Sequence, residues 1–234
     1  MPRTNDPETP KPEPDPFAPR RPASPRLPRS LAHVHSPDAA TLPDTTWRGI
    51  EAEGWSVPGA AVSTLEFDSC ALDGLDLSGV ECVRLLFADC EIRASNLANL
   101  AVRDPSLVRV AIRGSRLTGL SWGGGILTDV LFEGCRLDLS SFRFARLQRV
   151  TFRRCLLADA DFEGVEGSSV AFEECDLRRA TFSQARFARS VIRHCELEGL
   201  GGVAGLSGLG LLPEDILALA GPMATALGIR TLER

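Results

Sequence analysis

The chain of 234 residues has little of what active sites and membrane spans are usually built from. It contains no tyrosine, three histidines, and no apolar run of the length that a membrane-spanning helix requires. Its first residues do not combine a charged n-region with an apolar stretch, so no secretory signal peptide is predicted. These absences favour a cytoplasmic protein, and thiols stay reduced in that compartment.

Motifs that carry chemistry are also missing. The sequence has no nucleophile paired with a base, no phosphate-binding loop and no paired carboxylates in a plausible cleft. Its seven cysteines include no CxxC pair and no Cys/His cluster with zinc spacing. The glycine run 123–125 lacks the lysine and helix of a phosphate loop. We therefore predict no catalytic residues, no cofactor-binding residues, no metal ligands, no cofactor and no enzymatic activity.

What the sequence does contain is a period of five. From Phe67 to Leu197 every fifth residue is apolar, 26 positions of 27, with Gly167 as the exception. At 44% hydrophobic composition, chance would give such a column on the order of once in 10^8. A period of five fits neither a helix nor a strand, so it indicates a repeat architecture.

A second period of 20 lies on top of the first. The column two residues earlier is small or aliphatic, and it holds six cysteines in two series with a spacing of 20: Cys70 and Cys90, then Cys135, Cys155, Cys175 and Cys195. Four units of five make one turn of a four-sided coil, in which residues 20 apart stack at about 4.8 Å. In such an interior the cysteines act as small apolar side chains.

Individual units point to a known family. The segments 160–164 (ADFEG) and 175–179 (CDLRR) closely match the unit of the pentapeptide-repeat family, which the chain resembles over roughly residues 65 to 200. The resemblance implies an all-β solenoid, a right-handed quadrilateral β-helix in which both columns point inward. We expect about six to seven coils, each with the period of 20, over residues 65–204.

One step in this alignment does not fit the period of 20. Leu85 aligns with Val110, a step of 25, so we expect five extra residues around 103–106 to form an outward loop. Pro105 lies in this stretch and has no N–H to give to a ladder. With that loop, one side of the coil is expected to be a continuous ladder of Phe67, Phe87, Ile112, Phe132, Phe152, Phe172 and Ile192.

The N-terminal part of the chain has a different composition from the repeat. Residues 1–37 contain 11 of the 16 prolines and little apolar surface, so they are predicted to form a disordered Pro-rich tail. Its second half is basic, with Arg20, Arg21, Arg26 and Arg29. Residues 38–64 are too apolar for a free linker, and we expect them to form an N-terminal cap segment over the open first coil.

At the other end the period of five stops. Pro213, followed by two acidic residues, predicts the start of a short α-helical cap within residues 205–234. Gly221–Pro222 is expected to break the helix and Gly228 to end a second piece. The predicted buried face consists of Ile216, Leu219, Ala220 and Met223.

These observations favour a non-enzymatic, rigid interaction scaffold. Its expected partner is a protein of unknown identity, with no direct nucleic-acid binding and no membrane contact. The resemblance adds an alternative, because quinolone-resistance members of the family act as DNA mimics on type II topoisomerases. In those members a C-terminal segment also pairs two rods, so a cap alone and a cap that forms a homodimer both stay open.

Charge disfavours the DNA-mimic alternative. Residues 65–204 contain 20 Asp and Glu against 17 Arg and no Lys, which is close to neutral. Outward charges at the spacing of 20 alternate in sign, as in the series Arg113, Glu133, Arg153, Glu173 and Arg193. A mimic of DNA phosphates needs like charges in rows.

Overall fold

The main body of the protein is a parallel β-solenoid. The computed structural model describes residues 18–34 and 45–230. Its strands are β1 (Ala32–His33), β2 (Thr45–Arg48), β3 (Ile50–Glu53), β4 (Ala61–Asp68), β5 (Ala71–Asp73), β6 (Glu81–Arg93), β7 (Ala101–Arg113), β8 (Ile126–Glu133), β9 (Arg146–Arg153), β10 (Glu166–Glu173), β11 (Arg186–Ala188), β12 (Ser190–Arg193) and β13 (Leu209–Leu211). Successive turns pair in parallel at a register of 20, as Phe132 does with Phe152. The predicted fold class is confirmed.

Each turn has four corners because the backbone bends every five residues. Most residues whose numbers end in 4 or 9 adopt positive φ, for example Asp89, Ala94 and Asn99 at 52°, 46° and 55°. Between corners the pleat alternates, so residues at i and i+2 face the interior and the one between them faces out. This alternation explains why both apolar columns are buried.

Two stacks of phenylalanine rings fill the interior of the second half. Phe132, Phe152 and Phe172 stack at centroid distances of 4.9 and 5.1 Å, which confirms the expected stack. On the adjoining side, Phe142 and Phe162 stack at 5.2 Å. The two stacks meet edge to face, the arrangement that aromatic quadrupoles favour.

The register differs from the sequence prediction between residues 85 and 110. Leu85 pairs with Pro105 and Cys90 pairs with Val110, so no residues are inserted and the expected loop at 103–106 is wrong. Pro105 lies inside the strand at a buried position. A Cβ on Gly125 would lie 2.7 Å from Pro105 Cγ, so this glycine makes room for the proline ring.

The unbroken register also corrects the predicted ladder. Phe67 and Phe87 stack on each other at 5.1 Å, but Phe87 pairs with Leu107 and not with Ile112. Ile112 pairs with Ile92 and starts the phenylalanine stack on the next side. The expected single ladder is therefore two ladders on adjacent sides.

The coil starts one turn earlier than expected. β2 pairs with β4 at a register of 20, with Trp47 opposite Phe67. The apolar column continues back from Phe67 through Val62, Val57 and Ala52, all of which are buried. Residues 45–64 are thus a turn of the solenoid rather than a separate cap, and the solenoid has about eight turns rather than six to seven.

The Pro-rich segment differs from its prediction as well. Residues 18–34, within the predicted disordered tail 1–37, lie against the solenoid and end in β1, which pairs with β3. Residues 1–17 and 35–44, which also fall in the predicted tail and cap, lie outside the described residues. The segment is held there by hydrogen bonds from its backbone to two aspartates at one corner of the coil.

The C-terminal end closes the solenoid in three steps. A 3₁₀ helix, Val203–Leu206, is followed by β13, which extends the sheet past residue 204 by pairing with β12. Two short helices follow, α1 (Pro213–Ala218) and α2 (Ala220–Ala226). The break comes at Leu219, before the expected Gly221–Pro222.

The buried face of these helices is smaller than predicted. Leu219 is fully buried and Met223 packs on the core. Ile216 and Ala220 are exposed instead. Because the chain turns at Leu219, the two helices do not share one continuous face.

Candidate interaction surfaces

One corner of the solenoid carries alternating acidic and basic side chains. Asp89, Arg109, Asp129 and Arg149 occupy it in four successive turns with φ between 52° and 58°, and we call this row the Asp/Arg corner. Arg109 donates two hydrogen bonds to Asp89 at 2.6 and 2.5 Å. Arg149 donates two to Asp129 at 2.6 and 2.8 Å. The ion pairs therefore repeat every second turn.

The N-terminal segment 18–34 runs along the Asp/Arg corner. The backbone N–H of Ala23 donates to Asp129 Oδ1 at 2.9 Å, and that of Arg26 donates to Asp89 Oδ1 at 2.9 Å. Further on, the pairing of β1 with β3 ties the segment to the first turn. The segment thus runs opposite to the direction in which the coil advances.

Both aspartates stay charged over a wide pH range. The hydrogen bonds from Arg109 lower the pKa of Asp89, and the N–H of Arg26 lowers it further, although burial opposes the shift. Arg149 and the N–H of Ala23 lower the pKa of Asp129 in the same way. Since the folded pKa is lowered, the contacts are fully present above the usual aspartate pKa and are lost only as pH falls through the lowered value.

Two further columns hold ion pairs between neighbouring turns. In the column that begins at Arg113, Arg113 lies 3.2 Å from Glu133 and Arg153 lies 2.9 Å from Glu173. In a second column, Arg146 lies 3.6 Å from Glu166. Opposite charges across neighbouring strands stabilise the pair by about 0.2–1 kcal/mol. The alternation expected from the sequence is confirmed in the Arg113 column, and the charges of the second column alternate in the same way.

Two corner positions carry large apolar side chains that face solvent. Leu139 is 63% exposed and Phe144 is 56% exposed. Both have positive φ, at 59° and 58°, a conformation that costs free energy for a bulky side chain. Arg143 lies over the Phe144 ring at 5.5 Å from its centroid. The other corner residues in these two columns are glycine or polar, as Asn99 and Gln184 are.

The missing side chain of Gly167 shapes the side of the rod next to Phe144. Gly167 is the one non-apolar residue in the inward column, and the ring of Phe187 from the next turn fills its space. Outside this point lies an open depression of about 620 Å³, lined by residues that include Ile126, Arg146, Leu147, Glu166, Gly167 and Phe187.

The cysteines are part of the core. Six are buried and Cys195 is partly buried. Hydrogen bonds between stacked thiols raise the pKa values of Cys90, Cys135 and Cys175 and lower those of Cys70, Cys155 and Cys195, whereas burial raises the pKa of all six. A reactive cysteine needs a thiolate that solvent can reach, and the interior position of these side chains opposes this. Among residues 18–34 and 45–230, no group of three or more His, Cys, Asp and Glu could hold a metal ion.

The sequence prediction included no site residues, and the Asp/Arg corner was missed. Two signals were present. The prolines at positions 19, 22, 25 and 28 recur every third residue, and Asp89 and Asp129 are separated by two periods of 20. The second signal was hidden because the expected loop at 103–106 shifted the register between them.

Together, the four-cornered turns, the register of 20 and the two buried columns define a quadrilateral parallel β-solenoid. Residues 125–201 match the family model described as "Pentapeptide repeat region". This part of the chain is therefore similar to pentapeptide-repeat proteins. No curated protein matches the sequence.

The matching solved structures have low sequence identities and low TM-scores. HetL, a pentapeptide-repeat protein involved in heterocyst differentiation regulation from the cyanobacterium Nostoc sp. strain PCC 7120, is 12% identical with a TM-score of 0.41, over 66% of this chain and 86% of that one. QnrB1, a plasmid-mediated fluoroquinolone resistance protein, is 21% identical with a TM-score of 0.31, over 87% of this chain and 98% of that one.

The described α-helices, of six and seven residues, are too short to cross a membrane.

Proposed function

We propose that this protein is a non-enzymatic scaffold whose rigid rod binds another protein. The exposed Leu139 and Phe144 support this proposal. A large apolar side chain at positive φ is unfavourable for the backbone, and the more than half of each side chain that faces water gains no burial energy. Neither side chain is needed for the corner, because Asn99 and Gln184 occupy equivalent positions in other turns with φ of 55° and 59°. Binding of a partner is a reason for such residues to be present.

The ion-pair columns argue against a DNA-mimic surface. A protein that competes with DNA presents rows of like charge to a basic groove. Here Arg113, Arg153 and Arg146 each lie within 4 Å of a glutamate in the next turn. Their fields cancel within a turn spacing of about 4.8 Å, which is less than the Debye length of about 8 Å at physiological salt.

Site-specific photo-crosslinking tests the proposal. A photo-reactive amino acid is placed at Leu139 or Phe144 in the protein expressed in its own cells. We expect a discrete protein adduct from these positions and none from the exposed control position Arg103. Adducts that are absent at both corners, or equal at the control position, contradict the proposal.

A matched double variant separates binding from folding. Leu139→Asn with Phe144→Gln copies the residues that the same columns hold at positions 99 and 184. We expect its free energy of unfolding to equal or exceed that of the wild type by up to about 1 kcal/mol, because asparagine tolerates positive φ. Partner binding should be lost. A clear loss of stability in urea would assign these residues to the fold instead.

The C-terminal helices expose a second apolar surface. Leu217 and Leu227 are each 77% exposed, and Ile216 and Ile229 are also exposed. We propose that this surface pairs two copies of the chain. A symmetric contact of this kind uses the same patch on both copies.

Replacing Leu217 with lysine should separate such a dimer. A buried, unpaired ammonium group at the seam is costly, so light scattering should give half the wild-type mass. The variant should still be folded by circular dichroism, with a melting temperature that no longer depends on protein concentration. Glu214→Lys, at an exposed polar position of the same helix, is the control and should stay dimeric. A wild type that is monomeric at high micromolar concentration excludes the dimer.

A further inference from the structure

The segment on the Asp/Arg corner has the spacing of a polyproline II helix. Its prolines at positions 19, 22, 25 and 28 recur every third residue, and a polyproline II helix has three residues per turn. Pro19, Pro22 and Pro25 are partly buried, whereas the residue after each of them is exposed. One edge of the segment therefore faces the solenoid.

The rise of this segment matches the rise of the coil. Ala23 bonds to Asp129 and Arg26 bonds to Asp89, so three residues cross two turns. Two turns at about 4.8 Å each require about 3.2 Å per residue, close to the 3.1 Å of polyproline II. An α-helix would advance only about 4.5 Å over three residues and would miss the second aspartate.

The hydrogen-bond donors have a fixed place in the proline repeat. Ala23 follows Pro22 and Arg26 follows Pro25, so each bond comes from the N–H directly after a proline. That residue is a free donor because polyproline II has no internal hydrogen bonds. The positive side chain of Arg26 also favours the charged form of Asp89.

The acceptors are held ready for this contact. Arg109 and Arg149 fix the two carboxylates through paired hydrogen bonds. The side chains of Asp89 and Asp129 are 12% and 10% exposed. Asp159 makes the same pair with Arg179 on another corner, where the described segment 18–34 makes no hydrogen bond to it, and its side chain is 37% exposed.

We propose that the Asp/Arg corner is a binding groove for Pro-rich, arginine-containing segments in the polyproline II conformation. The chain's own residues 18–30 occupy it, and a segment of the same chemistry from another protein binds when they leave. Main-chain donors spaced by three residues supply the register, and the half-buried prolines supply the apolar contact. The groove lies on a different corner from Leu139 and Phe144, so this proposal does not depend on the one made for those two residues.

Binding of a labelled peptide to the full chain tests the groove. The probe is a fluorescein-labelled peptide of residues 18–31, measured by fluorescence anisotropy. In the wild type the attached segment competes at an effective concentration in the millimolar range. Pro22→Gly with Pro25→Gly weakens that segment without touching the solenoid, so we expect this variant to bind the peptide at least about tenfold more tightly than the wild type.

Glycine variants of the aspartates identify the groove. Adding Asp129→Gly or Asp89→Gly to the double-proline variant should abolish peptide binding, whereas Asp159→Gly should not. Glycine keeps the positive φ of the corner, as Gly49 does in the same column at 64°. Binding that survives both substitutions, or that Asp159→Gly abolishes equally, overturns the proposal.

Limited trypsin digestion measures how firmly the groove holds the chain's own residues 18–30. The bond after Arg26 must leave the groove to enter a protease, so cleavage there should be at least about tenfold faster in Asp89→Gly and Asp129→Gly than in the wild type or Asp159→Gly. Equal cleavage rates in all four proteins would show that the carboxylates do not hold the segment. Faster cleavage without peptide binding by the double-proline variant would overturn binding from another chain.

Discussion

Replacing Phe152 with alanine is expected to lower the free energy of unfolding by about 3–5 kcal/mol. The side chain is fully buried and stacks on Phe132 and Phe172 at 4.9 and 5.1 Å. Its edge also meets Phe142 and Phe162 at 5.7 and 5.9 Å. Alanine would remove all four ring contacts and leave a cavity that stacked turns on either side cannot easily close. Urea unfolding of the full chain measures the loss.

The neighbouring residue provides the control. Arg153 faces outward, pairs with Glu173, and has a side chain that is 36% exposed. Solvent screens such a pair, so Arg153→Ala should cost less than about 1 kcal/mol. If both substitutions cost the same, the assignment of the inward column would be wrong, since only one of the two residues belongs to it.

The fold could be predicted because every turn of the solenoid requires the same pattern of apolar residues. A residue such as Phe152 or Leu177 must be apolar at every fifth position, so the pattern is visible without knowledge of distant contacts. The early turn was missed because the column was started at Phe67, although Val62, Val57 and Ala52 continue it. The false loop came from aligning Leu85 with Val110, and Pro105 supported it because proline has no N–H to donate to the sheet. In the structure, Gly125 in the next turn accommodates it.

The Asp/Arg corner could not be predicted with the same ease because its contacts join distant parts of the chain. Ala23 and Asp129 are separated by 106 residues, and Arg26 and Asp89 by 63. Composition alone gives a Pro-rich segment too little apolar surface to order itself. The segment is ordered here because its rise matches two turns of the coil, which places a carboxylate beneath every third N–H. That match depends on the register, which was in error between the two aspartates.

The second large effect is expected at Gly205, where the chain leaves the last turn. A Cβ at this position would overlap the carbonyl oxygen of Phe182, which belongs to the solenoid backbone and cannot rotate away. Gly205→Ala should therefore destabilise the C-terminal end by about 3 kcal/mol, the upper part of the usual range for overpacking. The 3₁₀ helix and the buried Leu206 and Leu219 would be displaced together.

A second glycine at the C-terminal end serves as the control, because it shows what an added methyl group does where it meets no other atom. Gly221 lies in α2, and a Cβ added there would have no neighbouring atom within 4 Å, so Gly221→Ala should raise stability by up to about 1 kcal/mol through helix propensity. Hydrogen exchange of residues 203–226 measures both variants locally. Faster exchange is expected for Gly205→Ala and equal or slower exchange for Gly221→Ala. The same response in both variants would show that the close approach to Phe182 does not hold the end of the rod in place.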